Sequence, residues 1–411
     1  MPKPPTIPHA VQWGIYLLVN GLFIYKYSMR SGLLSPWIFI AAYCAFIAAA
    51  CHVTSRCKPG RHATASLLLA ATALTALLLW KVEPLSVNVD RWSATTYFLD
   101  ALFRGEYPYA VQTHIGNYSS PFPLWQYINI PFWLLGDVGL GLIPFLWLLA
   151  CGVRHFTQSA RTTFFYMLLL LCSPAYWWEV VVRSDGMSNA ILVFCVILLM
   201  VRQRITFSTQ PLTTSLLCAL VACTRLSAAL PLGILLLRPW LTSSLRAKAI
   251  SIAVITAIAA AFFAPYVLWG GDTATFLERN PFQTQTFQVS LPSMLILAAS
   301  LLYVAWRRRQ PTWMLAAIPT VMLAFILATM LWRNLHKPGI AIWYDSDFDL
   351  SYLSLSLPYT ILILAYTQSK GTAHKRLEEL KNTSRNRTNN HNASTPCASR
   401  SPWRWSPSTP P

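Results

Sequence analysis

The chain is expected to be an all-α, polytopic transmembrane bundle of about 11–13 spans with a long extracytoplasmic loop that carries short surface helices. Three observations lead there. Of 411 residues, 55% are hydrophobic and only 11% charged. Apolar runs of membrane-spanning length recur from one end of the chain to the other. The few charges are sorted by sign along the sequence, as the positive-inside rule requires of a multi-pass protein. A formal net charge of +18 would suggest nucleic acid in a soluble protein. Here the basic residues orient spans, so membrane lipids replace nucleic acid among the expected partners.

The first region, 1–81, contains apolar runs at about 11–28, 36–51 and 64–81. Region 82–121 is the one long polar interval in the first two-thirds of the chain. Region 122–368 is the main bundle, with runs at about 122–136, 138–153, 162–182, 187–201, 212–237, 247–269, 288–306, 311–332 and 350–368. Region 369–411 shifts to Lys, Arg, Asn, Ser, Thr and Pro and reads as a disordered basic cytoplasmic tail. Its Asn-x-Ser/Thr triplets at Asn382, Asn386 and Asn392 then lie on the wrong face for glycosylation.

Orientation follows from Lys and Arg. Arg154/Arg161, Arg202/Arg204, Arg238/Arg246/Lys248 and Arg307–Arg309 mark cytoplasmic ends. Between these clusters fall Glu83, Asp90, Asp100, Glu106, Glu179, Asp185, Asp272, Glu278, Asp345, Asp347 and Asp349, which are assigned to the opposite, extracytoplasmic face; Asp137 is ambiguous. Two segments break the alternation. The run 212–237 has basic clusters on both sides and Thr224-Arg225 in its middle, so a hairpin or broken helix is expected, with Arg225 at the far turn. The pair 122–153 must cross an odd number of times, so one half is partial or interfacial. Broken helices at membrane depth line cavities or are buried in protein, and a polar cavity near the outer leaflet is expected.

Most of the nine cysteines lie inside apolar runs, where they pack as small hydrophobes. Cys51, His52, Cys57 and His62 lie near one loop, but their spacing fits no common zinc pattern. No cleavable signal peptide with a clear cleavage site is present, so the first run is expected to be a retained span.

The residues able to carry chemistry gather on the acidic face. Asp90 stands just before RWSATTYFLDALFRG, whose apolar and aromatic positions suit a surface helix, and there it can be a cap or a working carboxylate. Asp100 lies ten residues farther on. Tyr107 and Tyr109 suit either an interfacial belt or a sugar ring. His114 is in the same loop, and Asn117-Tyr118-Ser119 is a lone glycosylation triplet on the permitted face. Arg183 and Asp185 open a helix and could form a local pair with a cap, or a phosphate site. Arg225 at membrane depth is a functional candidate by default. Asp345 and Asp347, in Asp-Ser-Asp-Phe-Asp, could hold a divalent cation, the one candidate cofactor. His336 and Lys337 could meet an anion instead.

The order of these features over roughly 64–368 resembles the GT-C superfamily of integral-membrane glycosyltransferases that use polyprenyl-phosphate sugars. The resemblance rests on the acidic loop opened by Asp90 and the surface helix after it. It rests also on Gly105-Glu106-Tyr107-Pro108-Tyr109, on the proline-led helix start at 120–124, on Pro174 to Asn189 and on the interrupted hairpin 212–237. Three spans precede the loop where one is usual, and Phe122 splits the customary doubled proline. The resemblance implies an inverting hexosyl or pentosyl transfer from a polyprenyl-phosphate sugar to an extracytoplasmic lipid or glycan acceptor. In that scheme Asp90 is the general base with Asp100 as understudy, and Arg225, Arg183 or His114 holds the leaving phosphate. Asp90, Arg183 and Arg225 should then converge on one cavity. The membrane would be a bacterial inner membrane in preference to the endoplasmic reticulum. The rival reading is a transporter or a lipid or glycolipid flippase, although the two halves of the chain show no self-similarity.

Overall fold

The structure is a computed structural model. It describes residues 9–368 apart from 33, 57–58, 61, 272, 308–310, 338 and 340–348. Asp345, Asp347, Asp272 and the tail 369–411 therefore lie outside the described residues. The first of two compact units runs from Met1 to Thr367. It is helical throughout its described part, where the sole β-type pairing is an isolated bridge between Gln112 and Tyr118.

In chain order the helices are α1 (His9–Ser31), α2 (Pro36–Arg56), α3 (Ala63–Lys81), α4 (Arg91–Arg104), α5 (Pro123–Leu134) and α6 (Leu142–Thr157). Then come α7 (Ala160–Leu171), α8 (Pro174–Val181), α9 (Asp185–Gln203), α10 (Pro211–Ala222), α11 (Ala229–Leu241) and α12 (Leu245–Val267). The remainder are α13 (Ala274–Glu278), α14 (Pro281–Thr286), α15 (Leu291–Trp306), α16 (Pro311–Arg333), α17 (Ser351–Ser354) and α18 over 357–368. By length and composition, six of the described helices can cross a membrane, or up to eight if each bent pair counts as one span. This fits a multi-pass membrane protein but is fewer than the spans expected from sequence.

Part of the difference is α1, an unbroken helix of 23 residues that is not among the six, and the rest comes from short or broken apolar runs. The run 162–182 is two helices, α7 and α8, bent by 66°. Ser173 caps α8 by accepting the Tyr176 N–H, and Pro174 removes a ladder donor at its first turn. The buried Asn20 of α1 takes the Ser173 hydroxyl at 2.5 Å and the Ala175 N–H at 3.3 Å, so the bend is held from outside the helix as well. The run 212–237 divides into α10 and α11 around Cys223–Arg225, as the basic flanks require. The α13–α14 segment meets α15 at another 66° bend.

The run 122–136 does not cross. Before α5, the Phe122 N–H donates to the Thr224 carbonyl at the α10–α11 break (3.0 Å). At its far end Trp133 Nε1 donates to Asp100 of α4 (2.8 Å), and Asp137 just beyond accepts from Arg183 (2.8 Å). Both ends of α5 thus lie at the same end of the bundle, here termed the loop end. At 12 residues α5 is about 18 Å long, short of a bilayer core. The single crossing in 122–153 is made by the helical stretch Val138–Thr157. It leads to the other end, where Arg161 donates to the Ser55 carbonyl of α2 and Arg238 to the Ala305 carbonyl of α15.

α1 lies inside the bundle with Tyr16, Val19 and Phe23 buried. Its Gln12 amide donates to the Ala316 carbonyl of α16, and the Tyr16 hydroxyl donates to the Leu169 carbonyl of α7. α2, α3, α12 and α15 bury few of their apolar residues within the bundle, as lipid-facing helices do.

Candidate functional site

The loop end is built by α4, α5, α13, α14 and the broken spans. Gly105, left-handed at φ 77°, ends α4 and turns the chain into the proline-led segment that carries Tyr107 and Tyr109. These tyrosines pack with Phe98, Leu99 and Tyr266 in a buried aromatic cluster. The Tyr107 hydroxyl donates to the Arg279 carbonyl (2.7 Å) and that of Tyr109 to the Pro121 carbonyl (3.0 Å). Burial pushes the Tyr107 phenol up to about 12 and raises Tyr109 as well. Read from sequence as sugar contacts or a belt, both are spent on packing.

Asp90 occupies the cap position of α4 without bonding the helix N–H groups. Its Oδ2 accepts instead from Asn117 Nδ2 (2.9 Å) and Thr113 Oγ1 (3.3 Å) across a tight turn closed by the Thr113 N–H to the Asn117 carbonyl (2.7 Å). The half-buried carboxylate is thus oriented by the loop, and among the described residues no hydrogen bond reaches Oδ1. His114 braces the same turn, sharing a 2.7 Å hydrogen bond with Ser93 and a 3.3 Å one with the Val87 carbonyl. Asp100 accepts the Trp133 indole N–H, whose ring stacks on Phe103 at 4.8 Å, and so ties α4 to α5.

Arg183 is a structural clamp. The Ser184 N–H reaches the Glu179 carbonyl (2.8 Å) and the Arg183 N–H the Val180 carbonyl (3.1 Å), the double closure of a helix C-terminus. Arg183 takes the left-handed position there at φ 52°, where glycine is usual. Its side chain fixes that turn by donating to Asp137 (2.8 Å) and to the carbonyls of Leu79 (2.6 Å) and Val82 (2.9 Å), which end α3. Gly139 permits the approach, since a Cβ there would stand 2.7 Å from Arg183 Cγ.

Asp185, the next carboxylate, does not pair with Arg183. At the start of α9 it forms a buried ion pair with Arg225 from the α10–α11 break, the side chains being 7% and 6% exposed. A second pair joins Arg91, first residue of α4, to Asp349 before α17. Burial works against the Arg91 charge, and the carboxylates of Asp349, Asp185 and Glu179, with the Tyr352 hydroxyl, outweigh it and raise its pKa. Partial burial pushes the Asp349 carboxyl up, but Arg91, the Ser351 N–H and Lys26 of α1 hold it below the usual range. Glu179 is 1% exposed, accepts the Ser354 hydroxyl at 3.1 Å, and completes the cluster.

The structure brings together Arg225 and Asp185, where the sequence suggested Arg183 as the local partner of Asp185, and adds Lys26, Arg91, Glu179 and Asp349. The expected convergence of Asp90, Arg183 and Arg225 is altered. Arg91 enters the cluster in place of its neighbour Asp90, and Arg183 turns away to Asp137. His336 is exposed beyond the end of α16. No group of three or more His, Cys, Asp or Glu residues with metal-site geometry occurs among the described residues. Lys26 and Glu179 were readable as ionisable groups inside apolar runs. Nothing in the pattern paired Arg91 with a residue 258 positions away.

At this junction three buried guanidinium nitrogens, Nε of Arg91, Nε of Arg225 and Nη1 of Arg183, have no hydrogen-bond partner among the described residues, nor has the Asn189 amide nitrogen one turn along α9 from Asp185. The arrangement suits binding and holding of an anionic group beside an oriented carboxylate. No protein-family model, curated protein or solved structure matches this chain.

Proposed function

We propose that the protein is an integral-membrane glycosyltransferase that moves a sugar from a polyprenyl-phosphate donor to a lipid or glycan acceptor at its loop end. The observation that carries the reading is the junction of α4, α8–α9 and α10–α11. There an oriented carboxylate, Asp90, precedes a helix whose first residue, Arg91, joins a buried set of guanidinium and carboxylate groups. Asp90 acts as general base, taking the proton of the acceptor hydroxyl while that oxygen bonds the sugar anomeric carbon. The bond to the lipid phosphate breaks on the opposite face of the ring, and Arg91 and Arg225 stabilise the phosphate charge that develops. Arg183, one of the phosphate ligands expected from sequence, is replaced in this role by Arg91. Tyr107, Tyr109 and Asp100 shape the loop. The loop end faces away from the cytoplasm, because the basic residues collect at the other end.

The broken spans and buried ion pairs also favour a second reading, a transporter or glycolipid flippase. Full-length protein in detergent, given a panel of polyprenyl-phosphate sugars and sugar or lipid acceptors, is expected to form a glycosidic product and release polyprenyl phosphate. Intact donor crossing the bilayer of reconstituted vesicles, with no bond cleaved, would contradict the transferase.

A further inference from the structure

A second polar feature lies at the loop end outside the charge cluster. A cavity of about 330 Å³ opens between the start of α15 and the end of α16, lined by Gln288, Val289, Ser290, Trp332 and Arg333. Arg333 is oriented there by its neighbours. Its Nη1 donates to the Phe287 carbonyl at 3.3 Å, and the guanidinium lies 5.2 Å from the Phe287 ring centroid. It forms no ion pair among the described residues, and its Nε is buried without an acceptor. Gln288 Oε1 is buried without a donor beside it.

A half-buried guanidinium without a carboxylate partner among the described residues and an amide oxygen without a donor line one cavity, where a single ligand can answer both. The guanidinium calls for a phosphoryl group, which it can hold by parallel N–H···O bonds. The amide oxygen calls for a hydroxyl or ammonium donor next to that phosphoryl group. The α15 N-terminus adds a favourable field for an anion, although Ser290 and Ser293 already form its capping box, so Arg333 must supply the strong contact. The walls say where such a ligand comes from. Trp332 is 52% exposed at the last turn of α16, the level at which indoles sit in a bilayer, and Leu291 and Leu295 of α15 are 74% and 62% exposed. An acyl chain can run along α15 from the cavity.

We infer that this cavity seats the phosphoryl headgroup of a membrane phospholipid, with the phosphate on Arg333, a headgroup hydroxyl or ammonium at Gln288, and the acyl chains along α15. This site does not depend on the transferase reading. It is tested on the full chain in detergent by native mass spectrometry, titrating phosphatidylglycerol, the diacylglycerol with the same acyl chains, and inorganic phosphate. Wild-type protein is expected to retain phosphatidylglycerol at least about tenfold better than diacylglycerol. Arg333→Gln should abolish that preference, and Arg333→Lys, which keeps the charge, should retain part of it. Equal retention of the two lipids by wild-type protein would overturn the inference whether or not the variants fold. Unchanged preference in folded Arg333→Gln would also overturn it, and so would inorganic phosphate binding as tightly as the lipid.

Discussion

The two ends of the bundle treat charge in opposite ways. At the loop end three buried arginines are paired, Arg183 with Asp137, Arg225 with Asp185 and Arg91 with Asp349, while the half-buried Arg333 forms no ion pair among the described residues. At the other end Arg154, Arg202, Arg204 and Arg246 are exposed and form no ion pair among the described residues. Exposed arginines need only water and headgroups, and their role is to orient spans. Buried ones must be matched atom by atom, so they fix where helices break and which segments meet.

The sharpest way to break this contrast is to unpair a buried cation. Asp185→Ala leaves Arg225 charged and without a partner, and should cost about 3–5 kcal/mol. Thermal unfolding in detergent should show a large fall in the midpoint. Next, Arg183→Ala removes the clamp on α3 and Asp137 while keeping the left-handed turn, at a cost of about 2–3 kcal/mol. Arg183→Gly loses the same bonds but relieves the turn, and should recover about 1 kcal/mol of that loss. The smallest effect belongs to the other end, where Arg202→Gln and Arg246→Gln should each stay within about 0.5 kcal/mol of wild type. A large loss there would erase the contrast.

The ends differ equally in how far the sequence reveals them. Sorting by sign placed Arg154, Arg202 and Arg238 at one end and Asp90 and Asp185 at the other, because that signal depends on position between apolar runs, and the basic flanks of 212–237 put Arg225 with the carboxylates. It also located the break at Thr224-Arg225. The pairings were not legible. Arg183 is adjacent to Asp185 with one serine between, yet it bonds Asp137, because the Schellman-type closure of α8 turns its side chain toward α3. Arg91 finds Asp349 only because α17 packs on α8, α9 and α16, which brings Asp349 and the Tyr352 ring to the start of α4. The run at 122–136 was apolar enough to cross, and only its contacts at both ends reveal α5 as lying along one end. Tyr107 and Tyr109 show the same limit, since a buried aromatic and a sugar platform have the same composition.

Among the loop-end carboxylates, Asp185 holds structure, and under the proposed function Asp90 carries the chemistry. The most direct measurement takes Asp90→Asn, which preserves shape and can still bond within the Thr113–Asn117 turn, and records sugar transfer and the thermal midpoint on the same preparation. The account predicts transfer reduced by about 10²–10⁴-fold with a midpoint close to wild type. Transfer at the wild-type rate by Asp90→Asn would contradict it.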